Sequence, residues 1–329
     1  MAGRARRRSR TRPILLILLL AAAGGAWFYV SNGWTGAGPA DRAVAVSIPE
    51  GATLTAAARV LEREGAIRSA RDFLRNAKLF GGSAAIKAGE YEFPARASAR
   101  EILSLLQAGR TLQRMVTIPE GMPAVLVHEK LTAEPLLTGK VVVPAEGSVL
   151  PDSYSFERGE QRAAVLKRMQ AAMTKTVDTL WASRKPSTAV VNKRDAVILA
   201  SIVEKETGIP SERRTVAAVY SNRLRMGMRL QADPTTIYPI TKGRPLGRRI
   251  RRSELDAVNA YNTYAKAGLP AGPIANPGRE SIAAVLDPAP SKAIYFVADG
   301  TGGHVFAETL AQHNANVAKW RALRAARGE

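Results

Sequence analysis

The chain contains no cysteine. Disulfides, thiolate metal sites and cysteine nucleophiles are thereby excluded. It has only three histidines, His128, His304 and His313, and none shows a zinc spacing such as His-Glu-x-x-His. No metal and no other cofactor is expected. There is no Gly-x-Ser-x-Gly nucleophile elbow. The glycine run at Gly300, Gly302 and Gly303 lacks both the spacing and the Lys-Ser/Thr end of a phosphate loop. Acid is scarce too: 28 Asp and Glu stand against 48 Lys and Arg, a net charge of +20. Setting aside Arg4, Arg6, Arg7, Arg8, Arg10 and Arg12 leaves 42 basic residues, so the rest of the chain is basic as well. Such a surface attracts polyanions, whether nucleic acid, anionic lipid or a carboxylate-bearing wall polymer.

What is present bounds the compartment. The 329 residues allow about two domains, and 46% hydrophobic content is enough for a sizeable core. Residues 1–13 form a basic tail. Residues 14–30 are uncharged and largely apolar, and as a helix would span roughly 26 Å, near the hydrocarbon thickness of a bilayer. Trp27, Phe28 and Tyr29 close this run as an interfacial aromatic belt would. Arginines on the near side predict a cytoplasmic N-terminus, with the body outside the inner membrane. The small residues Ala21, Ala22 and Ala23 would suit a cleaved signal peptide. The apolar run continues past them, which favours an uncleaved single-pass anchor. An exported body argues against a nucleic-acid partner.

Residues 31–42, rich in Gly, Ala and Pro, read as a linker. An internal repeat follows. Val46-Ser47-Ile48-Pro49-Glu50-Gly51 recurs as Val116-Thr117-Ile118-Pro119-Glu120-Gly121. Each copy alternates like a short strand, ends in a Pro-Glu-Gly turn and leads into a helical segment. After the first copy, Thr53 and Ser69 read as helix caps, and residues 89–93 as a second strand, a β-α-α-β order over 43–113. Residues 114–185 hold the second copy and a connecting segment. The fold class expected is α+β, with residues 186–329 as a mixed α+β domain.

That last domain carries the chemistry. Leu199-Ala200-Ser201-Ile202-Val203-Glu204-Lys205-Glu206-Thr207-Gly208 is an apolar helical run that ends in two carboxylates. Asp195 suits the N-cap and Gly208 the stop. At 100° per residue, Glu204 falls beside Val197 and Ala200, and Glu206 on the far side beside Leu199 and Ile202. The two acids therefore do not face each other. Apolar neighbours and the negative end of the helix dipole both disfavour a charged Glu204, which suits a general acid. A structural role for both glutamates stays open at this point.

Polar residues follow closely. Asn222 and Arg223 suit helix-end capping as well as a site. Gln231, Asp233 and Thr235 could meet sugar hydroxyls or fix a turn. Tyr261, Asn262 and Tyr264 combine aromatic faces with an amide, which suits carbohydrate, though a bland turn is an equal reading. His304 could touch a ligand or simply pack. The loop 239–252 is strongly basic through Arg244, Arg248, Arg249, Arg251 and Arg252, and reads as a solvated patch somewhat better than as a binding surface.

Taken in order, Ala200–Thr207, Asn222-Arg223-Leu224, Gly227–Thr235, Tyr261-Asn262-Thr263-Tyr264, Gly268-Leu269-Pro270, Tyr295-Phe296-Val297-Ala298 and Gly303-His304 resemble the endolytic murein transglycosylase, YceG-like, family. The resemblance implies a single membrane anchor, a LysM-like module over the β-α-α-β segment, and a catalytic domain. It implies cleavage of peptidoglycan glycan strands between N-acetylmuramic acid and N-acetylglucosamine, and association with the wall-synthesis machinery. The family's catalytic acid maps onto Glu204. Glu206 is then a supporting carboxylate, and Tyr261, Asn262 and Gln231 are candidates for positioning sugars. The rival readings are a hydrolytic muramidase using water and a second carboxylate such as Asp233, and a non-catalytic wall-binding scaffold.

Overall fold

A computed structural model describes residues 11–328. The arginines from Arg4 to Arg10 lie outside the described residues. The chain divides into two compact units, one ending at Arg114 and one beginning at Met115.

The first unit opens with a continuous helix, α1 (Thr11–Thr35). It runs through residues 31–35, where the composition suggested a linker. The reason is tertiary: Trp34 is buried in the core of this unit, against Phe73. Among the described residues, no helix is long and apolar enough to cross a membrane. Farther toward its N-terminal side, Ile17, Leu18, Leu19, Leu20, Trp27, Phe28 and Tyr29 of α1 are exposed.

Strand β1 (Val44–Ile48) leads through helices α2 (Leu54–Arg63) and α3 (Ala70–Phe80) to strand β2 (Gly89–Phe93), and then to α4 (Ala99–Ala108). The strands pair antiparallel, with Val46 opposite Tyr91. The caps are those the sequence suggests. Thr53 and Ser69 each accept a bond from the backbone of the third residue on, and Ser98 forms a reciprocal capping box with Glu101. Val46, Ile48, Leu61, Phe73, Tyr91, Phe93, Ile102 and Leu106 fill the core.

The second unit begins within β3 (Arg114–Thr117), which pairs with β4 (Ser153–Phe156), with α5 (Ala124–Ala133) between them in sequence. Long helix α6 (Arg162–Ala182) precedes α7 (Lys193–Glu206), the centre of the unit. A 3₁₀ turn at Pro210–Glu212 leads into α8 (Arg213–Arg225). Then come α9 (Asp233–Thr241), α10 (Arg252–Asp256), α11 (Arg279–Leu286), the antiparallel pair β5 (Tyr295–Ala298) and β6 (His304–Ala307), and α12 (Leu310–Ala326). Helix α7 begins earlier than expected. Asn192, not Asp195, is its N-cap, accepting from Asp195 N. Helix α8 grows directly from the 3₁₀ turn, with no side-chain cap at its start.

Helix α7 is enclosed on nearly all sides: Ala196 and every residue from Ile198 to Val203 is buried. Helices α6, α8, α9 and α11 surround it. Leu199, Ile202, Val203, Val216, Tyr220, Leu230, Ile282 and Val285 form the shared core. Truncating a fully buried leucine such as Leu199 to alanine costs about 2–5 kcal/mol. The final turn of α7 is thus presented on a rigid support.

Candidate active site around Glu204

Glu204 stands in the last turn of α7, half-buried. Its Oε2 accepts a hydrogen bond from Gly278 N at 2.9 Å. Its stem packs on Gly121, whose left-handed φ of +72° leaves the position to glycine. Gly121 belongs to the second Pro-Glu-Gly turn. That turn, the second copy of the repeat, sits in the same unit as Glu204 and forms one wall of its site.

Asn276 ties the walls together. It is fully buried. Its backbone accepts from Gly121 N at 3.0 Å and donates to Met122 O at 3.2 Å. Its side chain donates to Met122 O at 2.8 Å and accepts from Val149 N at 3.0 Å. Farther along the same loop, Ile274 N donates to Ser201 Oγ at 3.1 Å, so the loop is pinned to α7 at two points. Ser201 is fully buried.

Glu120 completes the wall. A Cβ built on Gly278 would fall 2.0 Å from Glu120 Oε1, so the carboxylate rests directly on that glycine. Arg213 Nη2 holds it at 2.9 Å. With Gly278 N on Glu204, the two carboxylates are at most about 7.5 Å apart. Lys205 also approaches Gly121. Two acids and two bases therefore meet at one edge of α7. Glu120 and Arg213 were not among the sequence candidates. The repeated Pro-Glu-Gly motif was a signal for Glu120, but nothing local linked it to α7.

Glu206 lies elsewhere, as helical periodicity predicts. Burial pushes its carboxyl up to about 7, against a lowering contribution from the Tyr220 hydroxyl; Asp233 raises it further and Arg223 opposes. Its Oε1 is out of solvent with no hydrogen-bond partner among the described residues. Asp233 accepts from the Tyr264 hydroxyl at 2.5 Å. Burial, then Asp233, raise the Tyr264 phenol. Asp233 and Tyr264 thus gather with Glu206. Gln231 is exposed, in a left-handed conformation of φ +54°, with its N–H on Thr263 O.

Several candidate side chains are spent on the fold. The Asn222 amide donates to Ser291 O and Ala293 O. Thr235 is buried and bonded to Ala232 O and Thr263. The Asn262 amide donates to three carbonyls, of Glu254, Leu255 and Ala257. His304 donates its backbone N–H to Glu212 Oε1, and its ring Nδ1 bonds Glu212 Oε2, each at 2.8 Å. Burial pushes the Glu212 carboxyl up, but these bonds and that from Thr207 outweigh it and leave it below its ordinary value. Tyr261 packs on Tyr238 with ring centres 4.9 Å apart. Glu146, absent from the candidates, accepts from Ala124 N at 2.9 Å and bonds the Tyr238 hydroxyl. Burial drives it to about 7. In the basic loop, Arg244 pairs with Glu129, Arg248 with Glu254 and Arg252 with Asp256. Among the described residues, no group of three or more His, Asp or Glu is placed to hold a metal ion.

The model of the YceG-like family matches residues 46–319, spanning most of the first unit's core and all of the site. The chain belongs to the YceG-like family. Among the relatives of this YceG-like protein, the endolytic murein transglycosylase of Bacillus subtilis (strain 168) is 28% identical over 304 residues, covering 82% of this chain and 83% of the relative. The endolytic murein transglycosylase of Streptococcus pneumoniae serotype 2 is 29% identical over 325 residues, covering 84% of this chain but only 58% of that protein. The crystal structure of a YceG-like protein from Listeria monocytogenes superposes with a TM-score of 0.53 at 25% identity, over 83% of this chain and 98% of that one.

Proposed function

We propose that this YceG-like protein is a membrane-anchored endolytic lytic transglycosylase. It cuts the bond between N-acetylmuramic acid and N-acetylglucosamine within peptidoglycan glycan strands and leaves 1,6-anhydro ends. The single observation that carries this reading is Glu204, an acid on a rigid buried helix whose Oε2 is fixed by Gly278 N–H. The names of the bacterial relatives support the substrate class.

The chemistry needs one acid–base group. With Oε2 accepting from Gly278, Oε1 is the oxygen that carries the proton. Glu204 gives that proton to the leaving glycosidic oxygen as the C1–O bond breaks. The C6 hydroxyl of the same muramic acid then attacks C1, and its proton returns to the Glu204 carboxylate. Glu204 ends as it began, and no water is consumed. Cutting within nascent strands would end their elongation, beside the synthesis machinery.

One observation favours a second reading. The Glu120 carboxylate lies at most about 7.5 Å from that of Glu204, a separation compatible with hydrolytic glycosidases, which use two acids. Asp233, the partner suggested by sequence, instead clusters with Glu206. Digestion of uncrosslinked glycan strands separates the readings: anhydro-terminated products support the lyase, reducing ends the muramidase, and binding without cleavage a scaffold.

The anchor rests on the uncharged run 14–30 with arginines before it. It places the N-terminus in the cytoplasm and the body outside. A C-terminal reporter active only outside the inner membrane is the expected result; a cytoplasmic signal would refute the topology. The LysM-like reading of the β-α-α-β segment adds a glycan-binding role for the first unit.

A further inference from the structure

The one-acid reaction leaves Glu120 without a role, although it faces the same glycine as Glu204. Its side chain is 43% exposed, while that of its partner Arg213 is only 12% exposed. The base is inside and the acid looks outward. Arg213 Nη2 fixes one carboxylate oxygen at 2.9 Å, and the other rests on Gly278. Arg213 Nε, out of solvent, has no hydrogen-bond partner among the described residues. A half-exposed ion pair adds little to folding stability, so stability alone gives a weak reason for this arrangement.

We infer that Glu120 is a second carboxylate of the reaction centre, held by Arg213 against Gly278 so that its negative charge stabilises the anomeric carbon as the glycosidic bond breaks. This rests on the glycan-cleaving reading above. The transition state of glycoside cleavage is oxocarbenium-like, with positive charge shared by C1 and the ring oxygen. A preorganised charge aimed at that position acts in the transition state and not in the ground state. Glu120 forms no bond and moves no proton. The glycosidic C–O bond breaks, the C6 oxygen bonds to C1, and the single proton passes out from Glu204 and back to it. No co-reactant is required. The same placement explains glycine at 278, since any side chain there would expel the carboxylate.

The test uses the full-length protein and uncrosslinked glycan strands. Glu120→Gln should lower kcat on the order of 100-fold, leave KM within about threefold, and leave the melting temperature unchanged. Glu120→Ala should lose as much and regain at least about tenfold on addition of formate, which returns a carboxylate to the gap. A residue that merely pins the turn to α8 would not respond to formate. Cleavage by Glu120→Gln within about threefold of wild type overturns the inference. So does a loss accompanied by a fall in melting temperature and no formate response. Failure of the wild-type protein to cut strands at all would instead remove the functional reading beneath it.

Discussion

Gly278 donates its backbone N–H to Glu204 Oε2 at 2.9 Å, across 74 residues of sequence. The same glycine lies beneath the Glu120 carboxylate. One residue therefore sets the distance between the two acids, and its smallness is part of the site.

Gly278→Ala tests this relationship. The backbone at φ −70° accepts alanine without strain, so the fold should survive. The new methyl would displace Glu120 and shift the donor on Glu204. Cleavage should fall on the order of 50-fold or more with a near-normal melting curve. Unchanged turnover would show that the glycine's closeness to Glu120 is incidental.

Asn276→Ala should damage stability and activity together. It removes the partner of the buried Val149 N–H and one of two bonds to Met122 O. An orphaned buried donor costs about 1–3 kcal/mol. An unfolding free energy lowered by that amount in urea titration is the expected outcome, with slower cleavage because Gly121 and Gly278 flank the same clamp.

Glu206 gives stability a pH dependence. Its folded-state value of about 7 lies above the ordinary 4.5, so between these values the native state holds a proton that the unfolded chain has lost. Stability therefore falls as pH rises from about 4.5 to 7, and the full penalty, on the order of 3 kcal/mol, is present above 7. Glu146 acts in the same direction. Glu206→Gln should raise the melting temperature at pH 8 and change it little at pH 4.5. Destabilisation at pH 8 would mean that the charge of Glu206, through Arg223, supports the fold.

Tyr261 and Tyr238 offer a part-exposed aromatic surface in the unit that holds Glu204. If it carries a pyranose ring, Tyr261→Ala should raise KM for glycan strands about fivefold or more with little change in kcat. An unchanged KM would leave Tyr261 as a packing residue.

Local signals were legible in the sequence, and long-range ones were not. Thr53, Ser69 and Ser98 cap their helices because a short polar side chain can reach the backbone three residues on. The periodicity of α7 alone separates Glu204 from Glu206. It did not say which polar residues accompany which acid, and Asp233 and Tyr264 gather with Glu206. The packing of Gly121 on Glu204 joins residues far apart in sequence, so no local pattern reveals it. Trp34 extends α1 into residues that read as a linker, because burial of an indole outweighs the low helix propensity of glycine nearby.

The most direct measurement is digestion of uncrosslinked glycan strands by the full-length protein and its Glu204→Gln variant, with product masses read. Wild type should release fragments ending in 1,6-anhydro muramic acid, and Glu204→Gln should release none above background. Cutting by the variant at the wild-type rate, or wild-type products that carry only reducing ends, would contradict the assignment of Glu204 as the single acid–base group of a cyclising cleavage.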